Sequence, residues 1–242
     1  MAETQELTYS ADGMSLRSTL YHPTGGTRAT AAVLVFPEAP GLGSYVHGRA
    51  AQLADLGYPA LACDLHGDAT LLSDPDVVVS TVLALRADPG RMRARANGAL
   101  DAASAALALE PSRIAAIGYC FGGAMALELG RSGATLAGIV GFHCTLATQS
   151  DPAANRLSCP VLACVGAEDP IIDVDERRAF EAEMRSFGID WQLHVYGNTL
   201  HGFTNPDVDK LGRLDALRYN AVADARSWQA MLGFFGEVFG ES

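Results

Sequence analysis

Cys120 stands between two glycines in Gly118-Tyr119-Cys120-Phe121-Gly122, a setting that suits a thiol meant to react rather than to pack. A nucleophile on a sharp turn from strand to helix needs small neighbours, because the two backbones pass too closely for a Cβ. The helix that follows would aim the positive end of its dipole at the sulfur, where negative charge is stabilised. The plainer account of Cys120 is a buried core thiol, the common fate of this residue type, and glycines on both sides argue against it. A thiol nucleophile requires a base and a group that orients the base. His201, in Leu200-His201-Gly202-Phe203, and Asp169, in Val165-Gly166-Ala167-Glu168-Asp169-Pro170, each follow an apolar run. They complete the chain order nucleophile, acid, base, and such a set carries out acyl transfer.

Each partner has rivals. Glu168 and Asp173 are near enough in sequence to replace Asp169, and all three carboxylates suit a helix cap or a solvated turn equally well. His194 is the rival base, but Leu193-His194-Val195 has the pattern of a strand interior, where a side chain packs or faces solvent. Glu38 ends another apolar run in Phe36-Pro37-Glu38-Ala39-Pro40-Gly41, where a carboxylate would either lie near the thiol or serve as a capping or surface residue. The backbone amides of Ala39 and Phe121 occupy the positions of oxyanion donors. His143, beside Cys144 at the end of a further run, is read as a wall of the pocket, and His143, Phe203 and Asn205 are the candidate substrate contacts. With no second pair of ligands beside them, neither a metal nor a cofactor is expected.

These residues need a scaffold that brings several strand ends together. Residues 5–22 alternate around Ala11-Asp12-Gly13, the signal of an antiparallel hairpin. Residues 31–36 are continuously apolar, as a strand buried on both faces of a parallel sheet must be. A helix from Tyr45 to Leu56 and a strand from Pro59 to Cys63 complete a βαβ unit. The alternation continues with a helix from Arg91 to Leu109, a strand at 113–119, a helix at 122–131 and strands at 136–142 and 160–165. A helix at 176–187, a strand at 191–196 and helical spacing over 213–239 follow. Residues 64–90 are the least regular and form a candidate lid or insertion. The expected architecture is one α/β domain over residues 1–242, a mostly parallel sheet led by the hairpin, with helices on both faces.

Composition narrows the partners. With 242 residues, 49% of them hydrophobic, the chain can bury one large core. A net charge of −11 repels nucleic acid and anionic lipid, both of which are bound by neutralising phosphates. Lys210 is the only lysine, and it belongs to no phosphate-loop or Schiff-base motif. The start, Met1-Ala2-Glu3-Thr4-Gln5-Glu6, lacks the basic and apolar regions of a secretion signal. No run approaches the roughly 18 to 20 apolar residues of a membrane helix. Five cysteines without a C-x-x-C pair speak against a disulfide framework and for a reduced, cytoplasmic protein, monomeric or homodimeric, acting on a small molecule.

The whole set resembles the dienelactone hydrolase family, from the first hairpin to the end of the chain. Four anchors carry the likeness: Glu38 after Pro37, Gly118 through Gly123 around Cys120, Glu168-Asp169-Pro170, and His201-Gly202-Phe203-Thr204-Asn205-Pro206. The resemblance implies an α/β-hydrolase fold and a hydrolase of ester or lactone bonds with Cys120 as nucleophile, His201 as base and Asp169 fixing its tautomer. It also implies that the thiol rests neutral beside Glu38 until substrate binding rearranges the pair. One departure concerns substrate charge. The best-known members bind a substrate carboxylate with an Arg four residues after the histidine and another before the central Ala-rich helix. Asn205 takes the first position here, and residues 68–85 hold no Arg, which leaves Arg86, Arg91 or a neighbour for the second.

Other readings of the same residues are a thioesterase or small-ester carboxylesterase, and a catalytically silent member that binds a ligand. A silent protein has no need of Cys, Asp, His and Glu at all four positions. A thiol redox protein would need a resolving cysteine that the chain lacks in C-x-x-C spacing.

Overall fold

Asp12 and Gly13 both take positive φ, 52° and 69°, the backbone that a two-residue hairpin turn requires. In this computed structural model, which describes residues 3–25 and 29–240, β1 (Glu3–Ala11) therefore pairs in unbroken antiparallel register with β2 (Met14–His22). Met1 and Ala2 of the acidic start lie outside the described residues. The continuous apolar runs become β3 (Ala32–Phe36), β4 (Ala60–Ala62), β5 (Ile114–Tyr119), β6 (Ile139–Phe142) and β7 (Val161–Gly166), each buried at every position. The half-buried β8 (Trp191–Tyr196) closes the far edge. The order is β1-β2-β4-β3-β5-β6-β7-β8, parallel from β4 to β8, with β2 antiparallel to both of its neighbours.

Helices cover both faces. α1 (Ser44–Asp55) and α6 (Ala221–Phe239) bury Val46, Leu53, Met231, Phe234 and Phe235 on one side. On the other, α3 (Pro89–Leu107), α4 (Phe121–Arg131) and α5 (Val174–Phe187) bury Met92, Leu100, Met125, Leu129, Phe180 and Met184.

Most elements lie within two residues of the sequence expectation, and three places differ by more. Residues 64–90 contain a helix, α2 (Pro75–Arg86), which packs against α3 and starts where Asp74 accepts the amides of Asp76 and Val77 ahead of Pro75. β6 begins at Ile139 rather than at 136. α6 begins at Ala221 rather than near 213, because Asn220 caps it, and the preceding loop instead bonds to the segment carrying His201. Among the described residues, no helix is long and apolar enough to cross a membrane.

Candidate active site

Cys120 occupies the turn between β5 and α4 with φ 53° and ψ −120°, a strained conformation for a residue with a side chain. Its N–H donates to the Phe142 carbonyl at 3.0 Å, which ties the turn to β6. A Cβ on Gly118 would collide with the backbone of Gly122 and Gly123, and one on Gly122 with the carbonyls of Phe36 and Pro37. Both glycines are therefore obligatory for the approach of α4 to β5 and β3. The thiol is half-buried, whereas Cys63, Cys144, Cys159 and Cys164 are buried, and all five are free.

Asp169 leaves the end of β7 and His201 follows β8, as an open parallel sheet places its sites. His201 Nδ1 lies 2.8 Å from Asp169 Oδ2, and Asp169 Oδ1 is held by the amides of Ile171 (2.8 Å) and Ile172 (3.3 Å). The rival acids have other work. Glu168 accepts the Thr199 amide at 2.8 Å, and Asp173 caps α5 through the amides of Asp175 and Glu176. His194 lies within β8, opposite Cys164. The His201 backbone is pinned on both sides, its N–H donating to the Ala216 carbonyl and its carbonyl accepting from Arg218. Its Nε2 is buried without a hydrogen-bond partner among the described residues. Burial alone pushes the imidazole toward the neutral form, but the neighbouring Cys120 sulfur and then the Asp169 carboxylate outweigh it and push the pKa up to about 10. Cys120 thus lies close enough to His201 for negative charge on its sulfur to favour the imidazolium.

Glu38 follows β3, and its Oε2 accepts a 2.6 Å hydrogen bond from Asn205 Nδ2. Burial raises the Glu38 pKa, against the pull of Asn205, His201 and Arg49. Asn205, the candidate substrate contact, thus gives one of its two amide N–H bonds to this carboxylate. Among the described residues, the amides of Ala39 and Phe121 donate to no backbone carbonyl, which leaves both available as donors. Phe203 and His143 are fully buried. They stack edge-on to one another, with ring centroids 5.2 Å apart, and His143 meets His201 edge-on at the same distance. Both back the imidazole rather than line an open surface.

Sequence reasoning missed the brace behind these rings. His143 Nε2 lies 2.7 Å from Thr204 Oγ1, which lies 2.5 Å from the Tyr45 hydroxyl. Arg49 donates to Tyr45, to the Thr204 carbonyl at 2.8 Å and to Asp224 at 2.5 Å. Thr204, three residues after His201, was the only hint in the sequence. Burial, followed by the fields of His201 and Arg49, holds His143 well below the ordinary histidine pKa.

Three cavities, of about 480, 350 and 390 Å³, do not include Cys120 or His201 in their linings. The second reaches Asn205 and Ser44. Arg91 is paired with Asp12 of the hairpin turn at 3.0 Å. Arg86 is half-buried at the end of α2, on a small cavity with Ala124, Thr148 and Gln149. Among the described residues, no three His, Cys, Asp or Glu side chains are grouped to hold a metal ion.

The model of the dienelactone hydrolase family matches residues 16–239. The solved structure of m3DLH is 41% identical, covers 98% of each chain and superposes with a TM-score of 0.93. A dienelactone hydrolase-like promiscuous phosphotriesterase from metagenomic libraries is 39% identical over 98% of this chain and 99% of that one, also with a TM-score of 0.93. A probable 2-oxo-3-(5-oxofuran-2-ylidene)propanoate lactonase of Bradyrhizobium sp is 28% identical over 184 residues, or 71% of this chain and 73% of that protein. The chain has the α/β-hydrolase fold and belongs to the dienelactone hydrolase family, as a hydrolase acting on ester bonds.

Proposed function

We propose that the chain hydrolyses small esters and lactones through a thioester formed on Cys120, with His201 as base, Asp169 fixing its tautomer and Glu38 as the resting partner of the thiol. The observation that carries this reading is the 2.8 Å pairing of His201 with Asp169, which leaves Nε2 free beside a thiol on a glycine-flanked turn. His201 Nε2 takes the Cys120 proton as the sulfur attacks the substrate carbonyl carbon, and the carbonyl electrons move onto oxygen, where the Ala39 and Phe121 amides receive them. The C–O bond then breaks, and the departing alkoxide takes the proton from His201 Nε2. Water next gives a proton to Nε2 as it attacks the thioester, and the sulfur leaves.

Trapping tests the reading. Wild type quenched during turnover of a p-nitrophenyl ester is expected to carry the acyl mass on the peptide containing Cys120, and an unlabelled Cys120 under burst conditions would refute the thioester. Glu38→Gln is expected to slow acylation in stopped flow by roughly a hundredfold, the low end of a positioned proton acceptor. Glu168→Gln keeps its carbonyl acceptor for Thr199 and is expected to leave the rate within about twofold. Unchanged acylation in Glu38→Gln would remove Glu38 from the scheme.

Substrate charge is a second expectation. The Asn205 amide is neutral and engaged by Glu38, Arg91 is engaged by Asp12, and the chain carries a net charge of −11. Losing a charge-assisted carboxylate contact costs about 1.5 to 3 kcal/mol, or one to two decades in affinity. A neutral ester is therefore expected to match or exceed dienelactone of similar reactivity in kcat/KM. A preference of a hundredfold or more for dienelactone would show that Arg86 or another cation supplies the charge. Because one relative is described as a promiscuous phosphotriesterase, the substrate panel includes a phosphotriester.

A further inference from the structure

His66 takes no part in the chemistry above, yet it sits against the loop that carries the first oxyanion amide. Its Nε2 lies 2.8 Å from the Ala39 carbonyl oxygen. A carbonyl only accepts, so Nε2 bears the proton. Nδ1 is buried with no partner among the described residues, and burial lowers the imidazole pKa, which favours the neutral Nε2–H tautomer.

The loop needs outside support. Gly41 N–H donates to the Glu38 carbonyl at 3.0 Å, closing a turn over residues 38–41 with Pro40 at its third position. A trans proline there forces the preceding residue out of the helical region that the commonest turn requires. No peptide bond in the described chain is cis, so the usual escape for such a turn is absent. The plane of the 38–39 peptide decides where the Ala39 N–H points, since a trans peptide aims N–H and C=O in opposite directions. With the Glu38 carbonyl turned into the loop, the Ala39 amide points out of it.

The segment after β4 is built to hold that turn. Leu71 forms an antiparallel bridge with Gly41, and the Leu72 amide donates to the Pro40 carbonyl at 2.9 Å. Gly41, at φ 103°, lies so close that a Cβ would stand 2.7 Å from the Thr70 carbonyl oxygen and 2.9 Å from the His66 ring. His66 is itself anchored by the buried Asp64. Asp64 Oδ1 accepts from the amides of His66 (2.9 Å) and Gly67 (3.0 Å), and Oδ2 from those of Ala69 (2.8 Å) and Arg17 (2.9 Å).

We infer that His66 is a positioning residue for hydrolysis: by holding the Ala39 carbonyl it fixes the 39–40 peptide, and with it the 38–41 turn whose Glu38 carbonyl sets the 38–39 peptide plane and so aims the Ala39 amide at the developing oxyanion. The inference rests on the proposed role of Ala39 as an oxyanion donor. Loss of one such donor costs about 10² to 10³ in kcat, and a misaligned donor costs part of that. His66→Phe removes the hydrogen bond while keeping the ring's bulk, and is expected to lower kcat for a p-nitrophenyl ester by about 10- to 100-fold with KM within about twofold. His66→Gln, whose amide nitrogen reaches nearly as far as Nε2, is expected to restore most of the rate. Iodoacetamide alkylation of Cys120 forms no oxyanion and should keep its wild-type rate in both variants. If His66→Phe does not fold, His66→Asn, polar but too short to reach Ala39, takes its place with the same expectation. An unchanged kcat, or alkylation that falls in step with kcat, would overturn the role of His66. The matching thiono ester separates that failure from the one beneath it, because sulfur is a poor fit for amide donors set for oxygen. A wild type that does not prefer the carbonyl ester would overturn the oxyanion reading itself, whereas a preference that shrinks in His66→Phe supports the inference.

Discussion

Cys120→Ala is expected to lose ester hydrolysis by about four to six orders of magnitude, as nucleophile removal does in triad hydrolases, while the melting temperature stays within a few degrees of wild type. The two halves of this expectation have separate causes. Activity falls because no other group stands on the turn: the remaining four cysteines are buried, and His201 Nε2 has no other partner among the described residues. Stability survives because alanine has the same Cβ as cysteine and the change removes one half-buried sulfur. That atom is worth at most about 1 kcal/mol, and 1 kcal/mol moves the midpoint of a chain this size by roughly 2–4 °C. The backbone strain at φ 53° is common to both residues. Hydrolysis of a p-nitrophenyl ester and a thermal melt on the same preparation measure both halves. Wild-type turnover by Cys120→Ala would end the assignment of the nucleophile, whereas a collapsed melt with lost activity would mean that the sulfur is structural.

The elements that could be read from the sequence were those in which local pattern and global burial agree. β3, β5 and β7 are apolar without interruption because both faces are covered, and the hairpin was marked by Asp12-Gly13. The glycine-flanked turn at Cys120 was visible because backbone proximity excludes every other residue type at 118 and 122. α2 was missed because Val77, Val78, Val79, Thr81 and Val82 favour strands, and its exposed Val79 and Leu83 hide any amphipathic period. The overlooked signal was Asp74-Pro75, a cap followed by proline at the first helical position. Contacts across the fold left no pattern at all. That Asn205 would bond to Glu38, 167 residues away, and His66 to Ala39, depends on loops converging at the strand ends. The sequence favoured Asp169 over Glu168 and Asp173 without deciding it, and the loop after β7 turns that carboxylate toward the imidazole.

Asp169→Asn tests that arrangement with the other large expected effect. Asp169 Oδ2 accepts only if His201 carries its proton on Nδ1, which leaves Nε2 as the base facing the thiol. An asparagine amide in that place can donate to Nδ1, and the imidazole then turns to the Nε2–H tautomer, unable to take a proton from the sulfur. In serine triads the corresponding change costs about 10⁴ in kcat. A thiol ionises more readily than a hydroxyl and leans less on its base, so the expected loss here is about 10² to 10³. Stability should respond with a definite sign. The folded His201 pKa is raised to about 10, above its unfolded value near 6.5, so its protonation stabilises the fold fully below about 6.5, and this contribution is lost as pH rises toward 10. The Asp169 carboxylate is one cause of that rise, and removing it lowers the folded pKa. The melting deficit of Asp169→Asn should accordingly be largest below pH 6.5 and shrink as pH climbs to 10. A deficit that grew with pH, or a kcat within threefold of wild type, would show that Asp169 does not set the charge and tautomer of His201.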